Sequence, residues 1–175
     1  MSDEPSISYL EDMLQVLTSH QVQFVVAGGV AAVLHGVERT TMDLDIALEM
    51  SKSNVERFGK AASELGLQPL VPVPVDALAD PEAVRMMVEE KNAIVFMLAD
   101  PGMPLRKVDV FLTPGLSYEN LVTDAVLVNL PGVALRVVSA ERLIALKRAV
   151  VPPRDKDLFD IRALERLVRE RQADE

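Results

Sequence analysis

The stretch Val22-Gln-Phe-Val-Val-Ala-Gly-Gly-Val-Ala-Ala-Val-Leu-His-Gly36, continued by Val37-Glu-Arg-Thr-Thr-Met-Asp-Leu-Asp-Ile-Ala-Leu48, decides how this chain folds. Val22 to Ala27 is an apolar run of strand length, and Gly28-Gly29 ends it. Val30 to His35 resumes as helix and stops at Gly36, the residue type favoured just past a helix C-terminus. Thr41 to Leu48 then alternates. Met42, Leu44, Ile46 and Leu48 fall on one face of a strand, and Asp43, Asp45 and Ala47 on the other. Two carboxylates therefore share a side of one strand. The glycine pair precedes them by 13 intervening residues. At a strand-to-helix junction it aims free backbone N–H groups and the positive end of a helix dipole at whatever lies above. By itself a Gly-Gly at a strand end is a tight turn; the succession of glycine turn, helix and acidic strand gives it weight.

Working outward, residues 6 to 19 carry Ile7, Leu10, Met13, Leu14 and Leu17 at helical spacing, with Ser6 or Ser8 as the capping candidate. Ser53 is expected to cap a helix through Leu65, ended by Gly66. Pro69, Pro72 and Pro74 demote the stretch 68–80 to a surface excursion or an edge. A helix from Pro81 to Lys91 follows, with proline in its first turn. Strands are expected over Ala93–Ala99 and Leu105–Leu112, the second placing Lys107, Asp109 and Phe111 on one face. A hairpin turns at Pro131-Gly132, between Val126–Leu130 and Val133–Val138. Ser139 opens a helix to Val150, and Pro153 starts another that runs to Arg171. The pattern reads as α+β, one mixed β-sheet flanked by helices. Residues 1–138 form the core and 139–175 a C-terminal helical segment packed on it, in one compact domain.

Composition narrows the chemistry. A chain of 175 residues with 49% hydrophobic content suits one ordinary domain. The absence of Cys excludes disulfides, thiolate zinc sites and cysteine nucleophiles, and His20 and His35 alone cannot build a multi-histidine metal centre. The acidic start Met-Ser-Asp-Glu-Pro is unlike a signal peptide, and no apolar run approaches membrane-spanning length, so a cytoplasmic protein with no membrane partner is expected. A net charge of −9 argues against a broad basic nucleic-acid surface.

The chemistry must then come from carboxylates, amines, hydroxyls and backbone. Asp is depleted in strands, and Asp43 and Asp45 on adjacent same-face positions repel one another unless solvent or a cation compensates. Mg²⁺ is the natural compensator, held by one or two carboxylates plus substrate phosphates. Asp109, arriving from another strand, can complete a two-metal site or accept a proton from an attacking hydroxyl.

These residues carry a family resemblance. Val26-Ala-Gly-Gly29, then His35-Gly-Val-Glu-Arg-Thr-Thr-Met-Asp-Leu-Asp-Ile46, then Lys107-Val-Asp-Val110 are similar to the nucleotidyltransferase signature of a hydrophobic-Gly-Gly/Ser turn, a spaced Asp-x-Asp and a later third Asp. The chain particularly resembles minimal nucleotidyltransferases of the AbiEii toxin type. Leu143-Ile-Ala-Leu-Lys147-Arg with Arg154-Asp-Lys-Asp-Leu-Phe-Asp160-Ile extends the likeness to about residue 165. The resemblance implies a nucleotidyltransferase core over residues 1–138. It implies Mg²⁺, two ions, on Asp43, Asp45 and Asp109, with Asp109 also acting as base. Gly28 and Gly29 would hold the triphosphate of an NTP such as ATP, and Lys147 would approach its phosphates. Lys156 or Asp157 would fix the last helix or the nucleotide, and Thr41 joins Arg39 beside the site. The implied acceptor is an RNA 3′ end such as that of tRNA, with a cognate antitoxin as partner in a toxin–antitoxin system. A small hydroxylated acceptor of the antibiotic type, or an inactive domain that binds nucleotide or a partner, stands as the alternative. One departure is visible: many members carry Ser where Gly29 stands.

Other residues have plainer readings. His35 suits a helix end, where its ring can bond a terminal carbonyl. Arg39 either pairs with Asp43 or Asp45 or contacts phosphate. Lys147, in an apolar helical stretch, could instead extend to solvent. The alternating charges of 154–171 read as a solvated face. Arg136 to Arg171 nevertheless holds ten Lys/Arg against six Asp/Glu, a net of +4 that could steer an RNA end or a nucleotide. Seven scattered Tyr and Phe provide no stacking platform for an extended single strand.

Overall fold

Strand β1 (Phe24–Ala27) is buried at every position, as expected of an apolar run covered on both sides of a sheet. The computed structural model describes residues 5–175, with side chains from Tyr9 onward. It sets β1 among β2 (Asp43–Leu48), β3 (Gln68–Pro69), β4 (Val95–Asp100), β5 (Met103–Phe111), β6 (Val126–Leu130) and β7 (Val133–Val137). The sheet order is β3-β4-β5-β2-β1-β7-β6. β2 runs antiparallel to β1 and parallel to β5, while β1 runs parallel to β7. β4 with β5 and β6 with β7 form antiparallel hairpins. The expected α+β architecture is thus present: among the described residues, seven α-helices flank one mixed sheet.

The helices are α1 (Pro5–Ser19), α2 (Gly28–Leu34), α3 (Lys52–Glu64), α4 (Pro81–Glu89), α5 (Tyr118–Leu121), α6 (Ala140–Arg148) and α7 (Asp155–Ala173). Local chemistry explains most boundaries. Ser139 accepts from the Arg142 amide to open α6, and Asp80 accepts from the Glu82 amide ahead of Pro81. Two expected caps differ. The backbone of α1 is helical from Pro5, ahead of Ser6 and Ser8. Helix α3 is capped by Ser51 instead of Ser53, because Ser51 has the extended backbone (φ −63, ψ 153) a cap needs. The short α5 was not foreseen, since four residues are too few to show a period.

One buried polar side chain locks β1 in place. Asn54, fully buried in α3, accepts from the Gln23 amide (2.8 Å) and donates to the carbonyls of Gln23 (2.9 Å) and Glu49 (2.6 Å). It therefore satisfies the backbone at the entrance to β1 and at the exit of β2. At the other end of the fold, α6 packs on α2, and α7 packs on α6. His35, buried at the end of α2, donates from Nε2 to the Val138 carbonyl (2.7 Å), and Arg171 donates to the His35 carbonyl (2.8 Å). His35 thus has a structural role, bonding a carbonyl 103 residues away. No helix among the described residues is long and apolar enough to cross a membrane. Replacing Asn54 by Ala removes its bonds to the Gln23 amide and to the Gln23 and Glu49 carbonyls, of which the Gln23 carbonyl keeps the Glu49 amide as a donor (3.1 Å). We expect a loss of roughly 2–4 kcal/mol in urea unfolding, against well under 1 kcal/mol for an exposed control such as Lys60→Ala.

Candidate active site

Strand register assembles the site. In β2, Leu44 and Ile46 are fully buried on the core face, which turns Asp43 and Asp45 to the other face. Asp45 lies directly beside Ala27 of β1 on one side and Asp109 of β5 on the other; Asp43 lies beside Lys107. Laterally paired residues point the same way. One row across the sheet therefore carries the end of β1, Asp45 and Asp109. Immediately after Ala27 the chain turns through Gly28 at φ +61 into α2. A Cβ on Gly28 would stand 2.0 Å from Asp45 Oδ2, so glycine is required by both backbone conformation and space. Gly29 is crowded differently: its Cβ would meet Arg39 Nη2 at 2.4 Å and Thr41 Oγ1 at 2.6 Å. Arg39 and Thr41 thus occupy the space a side chain at position 29 would fill.

The electrostatics follow from this crowding. Burial, then the charges of Asp109 and Asp43, push the Asp45 carboxyl up to about 6, with Lys156 and Lys107 opposing. Burial also raises Asp109, against the pull of Lys107. Lys107 Nζ stands 3.5 Å from Asp43 and 3.7 Å from Asp109; burial alone would lower its pKa, but these two carboxylates outweigh it and hold the ammonium charged. Asp109 Oδ1 is buried with no hydrogen-bond partner. Tyr9 donates its hydroxyl to the Met42 carbonyl (2.9 Å), and burial followed by the nearby Asp43 charge raises its pKa.

The remaining residues of interest form a second, buried cluster. Lys147 does not extend to solvent; it is 7% exposed, with Nζ 2.8 Å from Asp160 and 3.5 Å from Asp157. Arg39 pairs neither with Asp43 nor with Asp45 but places Nε 2.8 Å from Asp160, on α7. Arg154 grips Asp157 through Nε (2.6 Å) and Nη2 (3.1 Å). Burial would raise Asp157, but the Arg154 hydrogen bonds and the Lys147 and Arg154 charges overcome it and hold the carboxyl below its ordinary range. The start of α7 is therefore not simply a solvated face, since Asp157 and Asp160 are almost completely buried. Lys156 and Arg154 are close enough for their charges to couple with that of Asp45.

The structure thus brings Gly28, Gly29, Arg39, Thr41, Asp43, Asp45 and Asp109 to one end of β1, β2 and β5, and joins Arg39 to Lys147 through Asp160 and Lys147 to Asp157 directly. Tyr9, Lys107, Arg154 and Asp160 had not been singled out as site residues. Lys107 had a sequence signal, two positions before Asp109 on the same strand face, and Arg154 and Asp160 stand in the motif that extends the family likeness to the last helix. The chemistry of the carboxylates fits a hard divalent cation, and the orphaned Asp109 oxygen is the observation that supports it. As they stand, with Lys107 interposed, the carboxylates do not converge into a cluster of three metal-ligating groups; none is formed among the described residues. A site completed by substrate phosphates does not require one.

A glycine turn under paired acidic strands in a mixed α+β sheet defines a nucleotidyltransferase fold. Solved structures share it. The lincomycin-bound lincosamide antibiotic adenylyltransferase LnuA is 16% identical, with 94% of this chain and 97% of that chain covered at a TM-score of 0.58. The antibiotic-resistance factor ANT(2'')-Ia is 14% identical over 98% of this chain and 95% of its own, also at 0.58. An antigenic nucleotidyltransferase-like protein from Paracoccidioides brasiliensis is 14% identical over 94% and 77%, at 0.52. No curated protein matches. Residues 12–175 match the model of the nucleotidyl transferase AbiEii toxin family of the Type IV toxin–antitoxin system, and this chain belongs to that family. It is a nucleotidyltransferase.

Two outcomes are expected. An acid whose pKa is raised by folding weakens the fold as pH climbs from its ordinary value to the raised one. Metal-free protein should therefore lose stability between about pH 4 and about 6, as Asp45 ionises only at the cost of burial and repulsion. Asp45→Asn should recover about 1–3 kcal/mol at neutral pH in chelator, and nothing near pH 4, in paired thermal melts. Asp160→Asn takes from buried Lys147 and half-buried Arg39 the carboxylate they share, leaving Lys147 only the more distant Asp157, and should cost roughly 3–5 kcal/mol by the same measurement.

Proposed function

We propose that this protein transfers a nucleoside monophosphate from an NTP to a hydroxyl, with Asp43, Asp45 and Asp109 as the metal-binding carboxylates and an RNA 3′ end, such as that of tRNA, as acceptor. The row formed by Asp45 between the Gly28 turn and Asp109 carries the reading. Bound there with the substrate, Mg²⁺ would neutralise phosphate charge and polarise the reacting oxygens. The chain's own groups do the rest. Gly28 and Gly29, which carry no side chain of their own, present backbone amides to the phosphates. Asp109 Oδ1, buried and unpartnered, receives the proton as the acceptor oxygen bonds to the α-phosphorus and the bond to pyrophosphate breaks.

Thr41 offsets the missing serine at position 29, because its Oγ1 lies where a side chain from Gly29 would point. Lys156 and Arg154, whose charges couple with that of Asp45, take the triphosphate, while Lys147 holds α7 through Asp157 and Asp160. In this arrangement residues 1–138 are the catalytic core and 139–175 the helical segment that completes it. Basic residues at the rim favour an anionic RNA acceptor over a cationic antibiotic. The protein would act in the cytoplasm as the toxin of a pair with a cognate antitoxin.

Labelled NTPs, Mg²⁺ and total RNA supply the assay. Asp43→Asn and Asp109→Asn should each lower transfer roughly 100-fold or more, and Thr41→Val should raise the KM for NTP by about 3- to 10-fold with a smaller change in kcat. Full transfer by the carboxylate variants would overturn the metal assignment. Labelling of an added aminoglycoside or lincosamide in preference to RNA would overturn the acceptor.

A further inference from the structure

A cavity of about 540 Å³ lies at the entrance to β1, the end opposite the carboxylates. Thr18, Gln21, Gln23, Arg57, Leu127 and Arg136 are among the residues that line it, and no Asp or Glu lines it. Both arginines are held by neutral acceptors. Arg57 donates from Nε to the Gln21 carbonyl (3.1 Å) and from Nη2 to Asn54 Oδ1 (3.2 Å), and Arg136 donates from Nη1 to Gln23 Oε1 (2.9 Å). Among the described residues neither makes an ion pair; Arg162, Arg166, Arg169 and Arg171 of α7 make none either, so what sets Arg57 and Arg136 apart is that they line one cavity without an acid.

Two oriented guanidiniums without a counter-charge, in a concave site on a chain of net charge −9, make a local positive focus. The ring of neutral anchors fixes the side chains while leaving donors on both for a ligand. A carboxylate supplies one negative charge, but a terminal phosphate monoester carries about −1.5 to −2 on a single group with three acceptor oxygens. Leu127, 70% exposed on the cavity wall, offers apolar surface to whatever bears the phosphate. The volume is within the range of small-ligand sites. Phe24 and Ala27 are three strand residues apart, roughly 10 Å, which separates this cavity from the Asp45 row.

We infer that the Arg57–Arg136 cavity is a second anion site that binds a phosphate monoester, borne either by a nucleotide-sized small molecule or by the 5′ end of an RNA. It does not depend on the transfer reaction, so it is tested without Mg²⁺ or turnover. In full-length protein with ¹⁵N-labelled arginine, the Nε–H signals of Arg57 and Arg136 should shift saturably on titration with inorganic phosphate. Arg57→Gln and Arg136→Gln should each weaken that binding by about tenfold. AMP and an RNA hexamer with a 5′-phosphate then separate the sources, the tighter of the two naming the bearer of the phosphate. Absence of a saturable shift up to roughly 20 mM phosphate overturns the site. Equal shifts with acetate or with a 5′-hydroxyl hexamer overturn the phosphate monoester. Unchanged phosphate affinity in Arg136→Gln, whose side chain is exposed, overturns the role of the pair.

Discussion

The structure depends on the placement of Asp45 next to Asp109, two carboxylates side by side on parallel strands under a glycine turn that leaves no room for a side chain. Such a row opposes folding, since burial and mutual repulsion both penalise the charged forms. The surrounding groups moderate it. Lys107 stands between Asp43 and Asp109, and Lys156 approaches from α7. In the proposed reading, what these cations leave uncompensated is the charge that a metal-bound triphosphate would meet.

A second ionic cluster makes the first possible. Asp160 binds Lys147 of α6 and Arg39 of the segment ahead of β2, so one carboxylate ties both C-terminal helices to the turn beside Gly29. Buried ion pairs of this kind gain little net stability against apolar replacements but penalise any misplacement of their members. Their value here is geometric. Lys156 of α7 and Arg154 just ahead of it come close enough to Asp45 for their charges to couple with it, and Asp157 and Asp160 hold that end of the helix. Asn54 plays the corresponding part at the far end of β1, where its amide joins three backbone groups.

Much of this was legible in the linear chain. The alternation of Thr41–Leu48 put Asp43 and Asp45 on one face, and Gly28-Gly29 marked the turn before α2. The hairpin at Pro131-Gly132 and the helix opened by Ser139 were equally plain, because turn and cap chemistry is local. The wrongly placed cap of α3 shows the limit of that locality: Ser51 and Ser53 have the same side chain, and only backbone conformation chooses between them. Arg39 was assigned partners nearby in sequence, whereas its actual partner is 121 positions away. The buried character of Asp157 and Asp160 was hidden for a similar reason, since a helical charge pattern looks the same whether its acids face water or cations from other elements.

By itself the sequence determined the elements, the face on which each strand carries its acids, and membership of a nucleotidyltransferase family, because periodicity, turn chemistry and motif spacing are properties of neighbouring residues. Tertiary structure alone decided that Asp109 lies beside Asp45, that Lys147 faces Asp160 from within the protein, and that Arg57 and Arg136 share a cavity without a counter-charge. Those facts depend on strand order and helix packing, which bring together residues tens of positions apart, and no local pattern records the charge or burial that such an encounter produces.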